Sequence, residues 1–321
     1  MTSELLILLG LVTLVVGAEA VVRAGTQLAG RLGIPPIVVG ITVVSVGTSA
    51  PELAVGIDAS LRDVGALAVG NIAGTNMVNL LLILGLSAAI RPIAMGAQTF
   101  RLDVPAMALA ALALVAMSLD GEISRLDGLL LLVIAVAYTA IVVQLSLRQR
   151  AANRAQVITK EWMPSRRRVA GQVGADLAVL LLGIAVIVLG ADWLVRGASW
   201  LARDLGVSHA LIGLTVVAIG TSAPELATTL VSTVRNNREI AIGNLIGSSV
   251  YNIAFILGVT VLVAPISIGG ELVRVDLPLM AAVALLCLPV FRTGRRVSRT
   301  EGVVFVVLYL AYLAYLVVAR T

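Results

Sequence analysis

The chain of 321 residues holds one cysteine and one histidine, and only 13% of its residues carry charge. Each shortage excludes something. Cys287 alone can form no internal disulfide, and its place inside an apolar run makes it a small packing residue. His209 sits at the edge of another such run, and no paired aspartate motif accompanies it. An intramembrane enzyme would therefore have hardly a nucleophile or general base, so no catalytic residue and no cofactor is expected. The scarcity of charge, with 59% hydrophobic residues and a mean hydropathy of +1.04, lies outside the range of a soluble domain. The opening residues, MTSELLILLG, lack a basic stretch and lead into a run too long for a signal-peptide core, so they are expected to start the first span.

What is present is long apolar runs, each able to cross about 30 Å of hydrocarbon. Ten spans are expected, at 3–22, 36–60, 66–90, 103–119, 127–147, 173–195, 209–233, 239–263, 276–291 and 302–319. The runs lack period-two alternation, so they read as helices, which satisfy their backbone internally. The predicted class is an all-α integral membrane protein lying in the lipid bilayer. With the joints placed alternately on two sides, Arg62, Arg125, Arg196, Arg203, Arg274 and Arg320 fall on one side, and the other 17 of the 23 basic residues fall on the second. The positive-inside rule then puts both termini outside and the basic loop 148–172 in the cytoplasm. The net charge of +5 is thus topological, and neither a nucleic acid nor an obligatory protein partner is expected.

Shifting the chain by 173 residues aligns 40–93 with 213–266, and 23 of those 54 positions are identical. The offset extends upstream, where VGAEAVVRAG meets LGADWLVRGA, and downstream, where RLDVPAM meets RVDLPLM. The chain reads as two five-helix repeats, 1–147 and 173–321, joined by the loop 148–172. Five is odd, so the second copy enters the membrane from the opposite side. Inverted repeats bring matching residues together at the midplane, where secondary transporters bind their substrates. The shared residues concentrate on Gly, Thr, Ser, Pro, Glu and Asn rather than on apolar types, as a site would require.

The heptapeptide GTSAPEL occurs at 47–53 and again at 220–226. A carboxylate at the centre of a span costs about 2.5–3.5 kcal/mol, and the interiors of spans two, three, seven and eight contain no Lys or Arg. The missing counter-charge for Glu52 and Glu225 is then a bound cation or proton. Pro51 and Pro224 have no N–H for the carbonyls of Gly47 and Gly220, so each helix is expected to break there. Two carboxylates and two freed carbonyls offer about six oxygens, the lower limit for Ca²⁺; Mg²⁺, which keeps its waters, fits less well. A second repeated element, GNIAGTNMVN at 70–79 and GNLIGSSVYN at 243–252, puts Thr75 with Asn79, and Ser248 with Asn252, on single helical faces. Its glycines at 70, 74, 243 and 247 allow close approach to the broken helices.

These paired motifs resemble the two alpha repeats, here 40–85 and 213–258, of the calcium/cation antiporter superfamily, and most closely those of prokaryotic sodium/calcium exchangers. The resemblance implies exchange of Ca²⁺ for Na⁺ by alternating access across a bacterial or archaeal inner membrane. Ca²⁺ would be held by Glu52, Glu225 and the carbonyls of Thr48 and Thr221. One Na⁺ site would use Ala218, Ser222, Thr75 and Glu225; its inverted partner would use Ser45, Ser49, Ser248 and Glu52. Asn79 and Asn252 would be central polar ligands. The second of these is often an aspartate in the family, so this site has two carboxylates rather than three. Spans one and six would slide across the other eight. Glu19 with Arg23, and Asp192 with Arg196, read as structural ion pairs on those two spans. A Ca²⁺/H⁺ exchanger of the same fold and a cation channel are the competing readings, since a buried glutamate can also carry a proton.

Overall fold

A computed structural model describes residues 2–62, 64–156, 166–204 and 218–320. The helices are α1 (Ser3–Leu32), α2 (Pro36–Thr48), α3 (Ala50–Leu61), α4 (Gly65–Ile90), α5 (Thr99–Met117), α6 (Arg125–Gln156), α7 (Arg166–Asp204), α8 (Ala218–Thr221), α9 (Ala223–Val234), α10 (Arg238–Val263), α11 (Leu272–Arg292) and α12 (Arg299–Arg320). Among the described residues eight helices are long and apolar enough to cross a membrane, and α2 with α3 forms a ninth span bent by 41°. The expected seventh span, 209–233, is described only from residue 218 onward, and His209 lies outside the described residues. Helical backbone extends into both ends of the expected joint 148–172. α6 runs to Gln156 and α7 begins at Arg166, because the arginines, glutamines and alanines beyond the apolar run are good helix formers that continue the coil into water.

Inversion is visible in the pairing of joints. β1 (Ile93–Ala94) pairs antiparallel with β4 (Arg296–Val297), and β2 (Glu122–Ile123) pairs with β3 (Ile266–Ser267). Under the 173-residue offset β1 matches β3, and β2 matches β4 to within a residue. Each small sheet thus ties one repeat to the other, and each joins two joints that the charge rule puts on the same side. The helices intertwine likewise: α6 packs on α10, α12 on α4, and α11 on α5.

Lipid is as apolar as leucine, so helices associate here through close packing of small residues rather than by escape from water. α1 and α7 form a long antiparallel pair on this principle. A Cβ at Gly10 would lie 2.8 Å from the carbonyl oxygen of Gly190, and one at Gly17 would lie 2.9 Å from that of Gly183. Gly10 and Gly183, and Gly17 and Gly190, are repeat mates, so the contact is symmetric about the pseudo-twofold axis. Buried apolar side chains fall into two clusters. The larger fills the body built from α2–α6 and α10–α12; the smaller lies between α1, α7 and the broken helices, around Leu14, Val21, Val44, Leu180, Ile187 and Ala223. The α1–α7 pair therefore rests on the body through a separate seam.

Candidate cation site

Both heptapeptides break their helix at the same residue with the same backbone. Ser49 has φ −84°, ψ 10°, and Ser222 has φ −85°, ψ 4°. Pro51 and Pro224 stand in the first turn of the helices that follow, where a missing N–H costs nothing. α2 and α3 contain about equal lengths of helix, roughly 18–20 Å each at 1.5 Å per residue, so the break falls midway through the span. Glu52 and Glu225 occupy the first turns of α3 and α9, where the positive end of the helix dipole favours an anion.

Both glutamates are fully buried. The Ser49 hydroxyl donates to Glu225 Oε1 at 3.1 Å, and the Ser248 hydroxyl donates to the same oxygen at 3.5 Å. Glu225 Oε2 and both oxygens of Glu52 have no hydrogen-bond partner, and no ion pair among the described residues involves either side chain. Within the two repeated motifs and on α9 itself, the side-chain amides of Asn79 and Asn252 are unpartnered at both ends, as are the hydroxyls of Thr75, Ser222 and Thr228. Buried polar groups are ordinarily paired, and an uncompensated buried ion costs several kcal/mol. Three unpartnered carboxylate oxygens, with the Ser49 and Ser248 hydroxyls beside Glu225, offer oxygen ligands of the kind a hard cation takes.

The asparagines reach this place through π-helical turns, at Val78–Ile83 and Asn252–Leu257. The turn carrying Asn79 packs against α9, the helix of Glu225, and the turn carrying Asn252 packs against α3, the helix of Glu52. Close approach of α10 to α2 depends on its glycines. A Cβ at Gly243 would lie 2.6 Å from the Ile37 carbonyl oxygen, and one at Gly247 would lie 2.5 Å from Ser45 Oγ. The corresponding approach of Gly70 and Gly74 to the start of span seven lies outside the described residues.

The hydroxyls of the residues expected around the second Na⁺ position make the following contacts. Ser49 and Ser248 were expected beside Glu52, but their hydroxyls meet Glu225 instead; the inverted helices cross, so a carboxylate from one repeat faces the hydroxyl of the other. The Ser45 hydroxyl lies within hydrogen-bonding distance of the carbonyls of Gly40, Gly243 and Asn244 at 2.8, 3.2 and 3.0 Å, and ties α2 to α10. Its carbonyl oxygen faces the Ser248 hydroxyl at 3.5 Å. Thr48 and Thr221 are both buried. Ala218 opens α8, and its side chain lies outside the described residues. Asn244 was missed: its amide oxygen accepts from Thr48 Oγ1 at 3.2 Å and its amide nitrogen donates to Thr229 Oγ1 at 3.2 Å. The repeated Gly-Asn pair at 70–71 and 243–244 carried that signal; Thr229, whose mate is Gly56, carried none.

A sequence profile described as sodium/calcium exchanger protein matches residues 2–144 and 176–318. The chain belongs to that family. Among its relatives, the inner membrane protein YrbG of Escherichia coli is 36% identical over 93% of this chain and 91% of its own length. The sodium/calcium exchanger MaX1 of Methanosarcina acetivorans is 31% identical over 96% of both chains. A solved structure of the sodium-calcium exchanger NCX_Mj, soaked with 10 mM Na⁺ and zero Ca²⁺, matches with a TM-score of 0.84 at 28% identity and covers 98% of both chains. The fold of this family member is therefore the exchanger fold, with its inverted repeats and broken helices.

Proposed function

We propose that the protein exchanges Ca²⁺ for Na⁺ across the membrane by alternating access, with both cations competing for Glu52 and Glu225. The observation that carries this reading is the meeting of two fully buried carboxylates, from the broken helices of opposite repeats, with three of their four oxygens unpartnered and no basic residue beside them. An empty site of this kind leaves buried charge uncompensated and resists passage between the two faces, whereas a loaded one passes. Competition for one set of oxygens then makes the movements opposite.

In this reading Ca²⁺ takes the two carboxylates with the carbonyls of Thr48 and Thr221. Na⁺ takes Glu225 with Ser49, Ser248 and the Ser45 carbonyl on one flank; because Ser222 is the repeat mate of Ser49 and Glu52 that of Glu225, we assign Ser222, Thr75 and Ala218, expected from the sequence with Glu225, to Glu52 on the other. Asn79 and Asn252 complete the centre. Two negative charges neutralise one Ca²⁺ or two Na⁺. The repeats 1–147 and 173–321 each contribute one half of the site, and the charge rule places both termini outside. The matching relative named an inner membrane protein supports the same location here.

The test is ⁴⁵Ca²⁺ uptake into proteoliposomes containing the full chain under an outward Na⁺ gradient, with and without a pH gradient. Uptake that follows Na⁺ and saturates supports exchange. Uptake driven by the pH gradient alone would make it a Ca²⁺/H⁺ exchanger, and flux without coupling would make it a channel.

A further inference from the structure

The two faces of the protein are not in the same state. On α9 the residues Ala223, Ala227 and Val231, one turn apart, pack into the seam formed with α1. Their repeat mates on α3 are Ala50, Ala54 and Asp58, and all three are exposed. α1 packs along α9, whereas among the described residues α7 makes no comparable contact with α3. The seam is also tighter at one end. Val21 and Val22 of α1 are fully buried, while their mates on α7, Leu194 and Val195, border a cavity of about 260 Å³ that reaches Gly220 and Ala223.

Ion pairs follow the same division. Glu19 of α1 receives Arg235, which follows the last turn of α9, in a two-pronged contact: Nε to Oε2 at 2.9 Å and Nη2 to Oε1 at 2.8 Å. Arg23 adds a third bond at 2.5 Å. Paired bonds of this kind are the strong geometry for arginine and carboxylate. Subtracting or adding the offset of 173, the mate of Glu19 is Asp192 and the mate of Arg235 is Arg62. These two do not meet. Asp192 pairs with Arg196 on its own helix at 2.9 Å, and Arg62 pairs with Asp58 on its own helix at 2.9 Å. Asp58 has no acidic counterpart in the second repeat, where Val231 stands. It gives Arg62 somewhere to rest while the mate contact is open.

We propose that Glu19 with Arg235, and Asp192 with Arg62, form an alternating latch that is closed on one face at a time and couples the position of the α1–α7 pair to the face on which the cation site opens. The structure has the first latch closed, on the face that carries the joint 148–172. When α1 and α7 shift along the body, α7 covers Ala50, Ala54 and Asp58, Arg62 leaves Asp58 for Asp192, and Glu19 releases Arg235. Under the pseudo-twofold relation the mate of the Glu19–Arg235 contact is Asp192–Arg62, and that mate is the second latch. This inference rests on the exchange reading for its purpose, though not for its geometry.

The test uses the full chain in proteoliposomes with Cys287→Ser, Arg62→Cys and Asp192→Cys, and a short bifunctional thiol reagent. Adding Glu19→Gln is expected to raise the rate of cross-linking between positions 62 and 192 about fivefold, the shift that losing one well-formed surface ion pair supports. Exchanging the charges, Glu19→Arg with Arg235→Glu, is expected to return the rate to its starting value, which a general loosening of the fold would not do. A rate unaffected by Glu19→Gln, a rate not recovered by the exchange, or no cross-link in any background overturns the latch. ⁴⁵Ca²⁺ flux measured on the unmodified chain separates the two readings: cross-linking that responds in a protein moving no Ca²⁺ keeps the latch and removes the proposed function.

Discussion

α3 and α9 are two copies of one helix of 12 residues, each opened by the same heptapeptide and broken at a serine with nearly the same dihedral angles. Their surroundings differ. α9 lies under α1 and its Glu225 takes the hydroxyls of Ser49 and Ser248; α3 has its outer turns exposed and neither oxygen of Glu52 is partnered. Local sequence therefore determines the broken helix, but not which copy is covered. A protein with both copies equally covered would be shut on both faces, and one with neither covered would leak. The difference between two segments opened by the same heptapeptide is what lets a pseudo-symmetric chain act as an exchanger.

The comparison is most directly broken at the carboxylates. Glu52→Gln and Glu225→Gln each remove half of the negative charge that neutralises the bound Ca²⁺, and each is expected to lower ⁴⁵Ca²⁺ exchange more than 100-fold, since a buried ion that loses a partner of opposite charge costs about 3–5 kcal/mol. Substantial exchange in either variant would mean that the two helices do not share one site. Asn252→Asp would add a third negative charge on the turn that packs against α3. It is expected to raise the Hill coefficient for Na⁺ and the charge moved per cycle, measured as current in vesicles held at fixed potentials; unchanged values would show that the amide faces no cation.

Smaller effects sharpen the same comparison. Ser49→Ala removes the shorter of the two hydroxyl contacts to Glu225, and is expected to raise the Na⁺ half-saturation concentration about tenfold, the scale of one hydrogen bond to a charged group. Gly247→Ala puts a methyl group 2.5 Å from Ser45 Oγ and 2.9 Å from the Ile41 Cα atom. An overpacked helix contact of this kind costs about 1–3 kcal/mol, so the melting temperature of the purified chain in detergent should fall.

Much of the architecture was legible because it depends on features a sequence displays directly. Apolar runs mark spans, an odd-numbered repeat forces inversion, and Pro51 and Pro224 mark the breaks. The ends of α6 and α7 were less legible, since arginine and glutamine serve a helix in water as well as they serve a loop. The partition of the site was not legible at all. Ser49 meets Glu225 rather than Glu52 because of how the inverted helices cross, and a one-dimensional repeat contains no crossing angle. The side-chain role of Ser45 was hidden for a related reason: its hydroxyl could serve an ion or a carbonyl, and only the closeness of Gly243 and Gly247 decides between them.

The π-helical turns had no signature in composition or spacing, yet they recur at matched places. Val78–Ile83 corresponds to Asn252–Leu257 to within a residue, and Thr99–Asp103 corresponds to Leu272–Asp276. A π-turn is an α-helix that has gained one residue, and such turns are kept mostly where a function depends on them. Two independent gains at each of two matched places, in halves facing opposite ways, would be an improbable coincidence; one gain copied is not. The widened turns therefore belong to what the two repeats share, and each half presents its asparagine from the same kind of turn.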